Sequence, residues 1–370
     1  MPLASARGAD SEVMHIVYSA AHEKHRPELE FYEGELKHYH DAPERTHIVL
    51  EAVRAANLGP VVLPHDFGIE PILAVHTSDY VAYLKDAYRN WVDTGGIPAG
   101  VYPDSFPVRR MSRRPTRPSA LAGYYSFDIT AIIVEGTWDA AYQSAQCALT
   151  AAAQVASGQR AAFALCRPPG HHAHADLSGG YCFLNNAAIA ADWLCRSPER
   201  GAGNMAVVNR VAVLDIDFHH GNGTQDIFYE RADVLYLSIH GDPDRQYPYY
   251  LGGADESGAG EGVGYTVNYP LEACVDDQRY MQVLGEACQR VRQYMPAYLV
   301  ISLGVDTFVD DPLGDFALTE AVYARIGACL AQLNLPTVFI MEGGYAVSQL
   351  GKNVASVLTG FNDINGNQGQ

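Results

Sequence analysis

Lysine is scarce in this chain: only Lys24, Lys37, Lys85 and Lys352 among 25 basic residues, against 43 acidic ones, for a formal net charge of −18. Such a surface repels a phosphate backbone, which excludes a generic nucleic-acid binder and favours cationic ligands, although acidity also simply keeps a protein soluble. Cysteine forms no framework. The seven thiols (Cys147, Cys166, Cys182, Cys195, Cys274, Cys288, Cys329) are odd in number and show no C-x-x-C spacing. No run approaches the roughly 18 consecutive apolar residues of a membrane span. Residues 1–13 lack the basic start and apolar stretch of a secretion signal, and read as a flexible extension ahead of one domain over 14–370. The expected location is the cytoplasm.

What the chain does have is a series of apolar, strand-like runs that each end in chemistry. Val211–Leu214 opens into Asp215, Asp217, His219 and His220. Side chains alternate along a strand, so Asp215, Asp217 and His219 share a parity and can present carboxylate and imidazole to one cation. Ala161–Cys166 leads into Arg167-Pro-Pro-Gly-His-His-Ala-His, a loop fixed by prolines and carrying tandem His171-His172. Imidazole is costly to bury without partners, so an adjacent pair is poorly explained by packing. Ala297–Leu303 ends near Asp306, and Pro336–Met341 ends in Glu342-Gly-Gly-Tyr345, where glycines allow close backbone approach to a ligand. Strands alternating with helical patterns predict a single α/β domain with a parallel sheet and ligands outside the carboxyl ends of its strands. Strands are expected near 14–18, 61–63, 161–165, 211–215, 233–239, 298–304 and 336–341. Helices are expected near 43–56, 77–91, 137–157, 182–195, 277–294 and 318–333.

Together the four motifs, with Ser105–Arg110 and Leu303–Phe308, resemble the arginase/histone deacetylase superfamily on its zinc-dependent deacetylase side, and most of all the bacterial acetylpolyamine amidohydrolases. The resemblance runs from about Met14 to Leu358 and implies an eight-stranded sheet. It also implies zinc on Asp217, His219 and Asp306, catalysis by His171, His172 and Tyr345, and potassium beside the zinc on Asp215, Ser238 and Ile239. Asp215 would orient His171, and Asn222 would face His172 where many protein deacetylases carry aspartate. An amide supplies no full negative charge, so His172 stays more readily neutral. The arginase alternative needs a paired Asp-x-Asp where this chain has Val305-Asp306-Thr307, so one metal fits better than two. Two carboxylates and one imidazole also suit Fe2+ or Co2+.

Amide hydrolysis needs an activated water, a stabilised oxyanion and a protonated leaving amine, and this set supplies all three. The resemblance therefore implies removal of acetyl or longer acyl groups from N-acylated polyamines or diamines. Deacetylation of protein lysines is the alternative, and a catalytically silent binding protein the third reading. Tyr181 and Tyr247, beside Gly180, match the aromatic pair that grips an extended alkyl chain in the tunnel, and Leu313 stands at the rim position where a polyamine-selective relative carries an acidic gatekeeper. A Gly/Pro-rich insertion over about 91–125, with a basic run at Val108–Arg117, would build a homodimer and narrow the tunnel mouth. Ser119 and Thr130 stand where resembled enzymes carry glutamates, so discrimination among polyamines should be loose; Asp128, Asp104 and Glu30 are the acids left to compensate.

Overall fold

The computed structural model describes residues 13–108, 113–197 and 209–363. The extension expected at residues 1–13, except for Val13, and the centre of the basic run, residues 109–112, lie outside them. The elements in chain order are β1 (His15–Val17), β2 (Leu29–Tyr32), β3 (Glu35–His38), α1 (Glu44–Ala55), β4 (Val61–Val62), α2 (Glu70–Leu73), α3 (Ser78–Asp93), α4 (Pro118–Tyr124) and α5 (Thr137–Ala156). The second half continues with β5 (Ala161–Ala164), α6 (Asn186–Arg196), β6 (Val211–Asp215), α7 (Asn222–Phe228), β7 (Val234–Gly241), β8 (Thr266–Leu271), α8 (Asp277–Tyr294), β9 (Tyr298–Leu303), α9 (Glu320–Ala331), β10 (Thr337–Met341) and α10 (Val347–Asp363).

Eight strands form one all-parallel sheet in the order β4-β1-β5-β10-β9-β6-β7-β8, and β2 and β3 pair as a separate antiparallel hairpin. Every residue of β5, β6, β9 and β10 is buried, because helices cover both faces and leave no polar side to alternate with. One face packs Leu214, Leu237, Ile301 and Phe339 against α1, α8, α9 and α10, and the other packs Val213, Val300 and Ile340 against α5 and α6.

The expected strands form, and the structure adds an eighth, the β2–β3 hairpin and the helices α2, α4, α7 and α10, none of which the strand–helix reading contained. The eighth, β8, is an edge strand whose Asn268, Tyr269 and Pro270 dilute the apolar signal. Helix α6 starts at Asn186, capped by the Asn185 side chain on Ala188 N at 2.9 Å, because residues 182–185 are used in a turn. The irregular stretch expected from about Trp91 to Tyr125 is shorter, since α3 runs on to Asp93 and α4 begins at Pro118. Arg114 of the basic run is tied down, its Nε 2.5 Å from the Tyr125 hydroxyl, which in turn donates to Asp79.

Candidate metal centre and active site

The four chemistry-bearing segments leave the carboxyl ends of β5, β10, β9 and β6, which are consecutive in the sheet. Strand β6 stops at Asp215, so strand parity does not carry on to Asp217 and His219. Two side-chain-to-backbone turns replace it: Asp215 Oδ1 accepts from Asp217 N at 3.2 Å, and Asp217 Oδ1 from His219 N at 2.9 Å. Asp215 thereby turns to His171, while Asp217, His219 and Asp306 converge with their ligand atoms all within 4.8 Å of one another. His219 Nδ1 lies 2.9 Å from Asp306 Oδ2 and 3.4 Å from Asp217 Oδ1.

Two buried carboxylates this close need positive charge between them. Burial and the neighbouring Asp217 push the Asp306 carboxyl up to about 7. Burial would raise Asp217 as well, but His171 and His219 hold it well below the usual carboxylate range. The glycines of β10's terminal loop shape a cradle around this pair. A Cβ on Gly343 would sit 2.5 Å from Asp306 Oδ2 and 2.6 Å from Asp217 Oδ2, and Gly343 N donates to Asp217 Oδ2 at 2.8 Å. The donor set, the acid pair and the cradle fit a single divalent cation with three protein ligands.

Both histidine dyads form. His171 Nδ1 is 3.0 Å from Asp215 Oδ2, and His172 Nδ1 is 2.7 Å from Asn222 Oδ1. Burial disfavours charge on His171, but Asp215 and Asp217 outweigh it and raise the ring to about 10. For His172, burial and then the charges of His171 and His219 drive the value well below 6.5. One imidazole is therefore held charged and its neighbour neutral. Tyr345 is buried, with the Arg45 guanidinium 4.6 Å over its ring; burial raises its hydroxyl well above 10, so it stays a donor.

Residues missed in the sequence hold these parts in position. Asp311 Oδ2 accepts from Tyr345 N and Ala346 N, and Arg45 donates to the carbonyls of Glu342 and Gly344. Glu342 receives Gly170 N at 2.7 Å and His171 N at 3.2 Å. Its place directly after the apolar run Val338–Met341 was the available signal.

Tyr181 and Tyr247 stand beside the site, with ring centroids 5.8 Å from Tyr345 and 5.0 Å from His172, respectively. Gly180 lies between: φ is +53°, and a Cβ there would meet His172 Cδ2 at 2.2 Å. Leu313 packs with Tyr39, Tyr181 and Tyr345. Of the three acids left to compensate, Glu30 is engaged by the Tyr181 hydroxyl and His40, and Asp128 by the Tyr247 hydroxyl, Gly180 N and Thr130, while Asp104 is exposed. Thus Glu30 and Asp128 fix the aromatic walls. Ser238 faces Asp215 across the β6–β7 ladder with its Oγ 2.7 Å from His240 Nδ1, and Ile239 follows in the core.

Residues 39–361 match the histone deacetylase domain. The chain belongs to that family. Among family members, it is 48% identical over 351 residues to acetylpolyamine amidohydrolase 2 of Pseudomonas aeruginosa, covering 94% of this chain and 98% of the relative. It is 43% identical over 348 residues to acetylpolyamine amidohydrolase of Mycoplana ramosa, covering 94% and 99%. The crystal structure of acetylpolyamine aminohydrolase from Burkholderia pseudomallei superposes with a TM-score of 0.88 at 41% identity, over 95% of this chain and 99% of that one. Among the described residues no helix is long and apolar enough to cross a membrane.

Proposed function

We propose that this family member is a zinc-dependent amidohydrolase that removes acetyl groups from N-acetylated polyamines and diamines. The observation that carries it is the convergence of the Asp217, His219 and Asp306 cluster with His171, His172 and Tyr345 at the ends of four adjacent strands. Zinc held by those three residues would supply Lewis acidity, polarising the scissile carbonyl and lowering the pKa of a water.

The remaining work falls to side chains. His172, neutral, takes the proton of the attacking water at Nε2, because Nδ1 faces Asn222, and returns it to the leaving amine nitrogen. His171, paired with Asp215, remains protonated and supplies positive charge beside the reacting carbonyl. The Tyr345 hydroxyl donates to the carbonyl oxygen as negative charge develops there, an effect of about 2.7–4 kcal/mol per donor. Potassium on Asp215, Ser238 and Ile239 belongs to the same reading, supported by the register that sets Asp215 and Ser238 side by side on adjacent strands. So does a cytoplasmic location, supported by seven unpaired thiols.

A carboxylate at position 222 would favour the imidazolium of His172. Raising the pKa of a group that works as neutral base moves loss of activity on acidification to higher pH. The acid limb of the rate profile of Asn222→Asp is thus expected at higher pH than in the wild type, and an unmoved limb would count against His172 as the base.

For the substrate, the names of the relatives, the net negative charge and the aromatic Tyr181 and Tyr247 beside the site support slender cations. With Glu30 and Asp128 occupied by those tyrosines and Ser119 and Thr130 uncharged, few fixed anions reward one spacing of ammonium groups. Catalytic efficiencies on acetylputrescine, acetylcadaverine and acetylspermidine should lie close together, and all above an acetyl-lysine peptide. A preference for the peptide would overturn the substrate assignment in favour of a protein deacetylase. A homodimer, with residues of about 91–125 at the tunnel mouth, completes the proposal, and a monomer by light scattering would remove that part.

A further inference from the structure

The third histidine of the run His171-His172-Ala173-His174 has no part in the chemistry above, yet it is buried and clamped by α7. Asn222 and Asp226 are four residues apart and so share a face of that helix. His174 lies against both, with Nε2 3.0 Å from Asn222 Nδ2 and Nδ1 3.0 Å from Asp226 Oδ2. We propose that His174, oriented by Asp226, fixes the rotation of the Asn222 amide and through it the tautomer of His172. His174 is a positioning residue: its effect on rate rests on the reading of His172 as the base, whereas its effect on the tautomer does not.

The argument is one of hydrogen polarity. An ionised carboxylate only accepts and a neutral imidazole carries one hydrogen, so Asp226 draws the hydrogen of such a ring at His174 to Nδ1 and leaves Nε2 as acceptor. An acceptor there selects the amino end of Asn222, which turns the amide oxygen to His172 at 2.7 Å. The oxygen in turn demands a hydrogen on His172 Nδ1 and leaves Nε2 free to take a proton. Rotated by half a turn, the amide would present N–H to His172 Nδ1, and the ring would carry its hydrogen on Nε2, where the base needs its lone pair. A carboxylate at 222 accepts in either rotation and needs no such guide. The amide does, because its two ends differ in polarity. Backbone contacts hold the pieces in register: Thr224 N donates to His171 O at 3.1 Å, and His174 N to Leu177 O at 3.0 Å.

The test reads histidine tautomers by long-range proton–nitrogen correlation NMR on the full-length protein, beside steady-state kinetics of the zinc-loaded enzyme. Wild-type His172 is expected as the Nδ1–H tautomer. In His174→Leu an Nε2–H population should appear and kcat should fall about 10-fold with KM unchanged, the scale of losing an orienting partner. His174→Gln offers a carbonyl to Asn222 and should recover most of both. In the Asn222→Asp background, His174→Leu should change neither. Asp226→Ala, at a half-exposed side chain, reports the same tautomer shift if the leucine variant folds poorly. A His172 that keeps its wild-type tautomer in His174→Leu, or in Asp226→Ala should the leucine variant not fold, overturns the proposal; so does an equal kcat loss with Asn and with Asp at 222. A shifted tautomer with unchanged kcat supports the relay and refutes His172 as the base.

Discussion

Asp306→Asn should emerge from purification with little zinc and correspondingly little activity. Asp306 Oδ2 sits 2.9 Å from His219 Nδ1 while Oδ1 accepts from Phe218 N at 2.8 Å, so the side chain is fixed at both oxygens and an amide inherits the position. Geometry survives and charge does not. One carboxylate and one imidazole remain, and the loss in metal affinity should exceed the roughly 10–100-fold typical of removing an outer-shell partner. Folding is separable from this effect. A carboxyl whose value rises on folding, here to about 7, is stabilising to no one above that pH: its ionisation costs stability that accumulates as pH rises from its unfolded value through 7. Metal-free Asp306→Asn should therefore melt no lower than metal-free wild type at pH 8. Metal content by elemental analysis and thermal melts check both parts; stoichiometric zinc with full turnover would sink the ligand assignment.

Tyr345→Phe should cost about 10²–10³-fold in kcat at unchanged zinc content, the loss expected for one oxyanion donor. The ring should stay where it is. Its backbone nitrogen is held by Asp311 at 2.7 Å, and its face lies under Arg45, neither of which involves the hydroxyl. Because burial keeps the phenol protonated, the variant removes a donor and no charge, so KM should change little. Near-wild-type kcat would refute a role for Tyr345 at the carbonyl, and loss of zinc would show that the substitution disturbed the Gly343 cradle instead.

Much of this site was legible because its chemistry is local in sequence. Asp217 and His219, the His171-His172 pair, and Tyr345 after two glycines each follow a run too apolar to be anything but a buried strand. The strand parity argued for Asp215, Asp217 and His219 does not hold, since side-chain turns begin as soon as β6 ends and it is these turns that set Asp217 and His219 beside Asp306. Glu30, Asp128 and Asp311 were beyond such reading as to role. Each acts through one or two hydrogen bonds to groups 34 to 151 residues away, and an isolated acid in a loop carries no sign of that.

The sequence by itself determined the alternation of strand and helix, the ends at which ligands collect, and the residue types that make hydrolysis feasible, because periodicity and donor chemistry are properties of short segments. Only the tertiary structure decided that β5, β10, β9 and β6 lie side by side although the chain visits them in the order β5, β6, β9, β10. That order is set by long-range strand pairing and by helices that must cover both faces, which no segment encodes alone. It also set Asp217 beside His219 and Asp306 and Asp215 beside His171, and turned Asn222 from a substitute acid into an amide whose direction a third histidine can set.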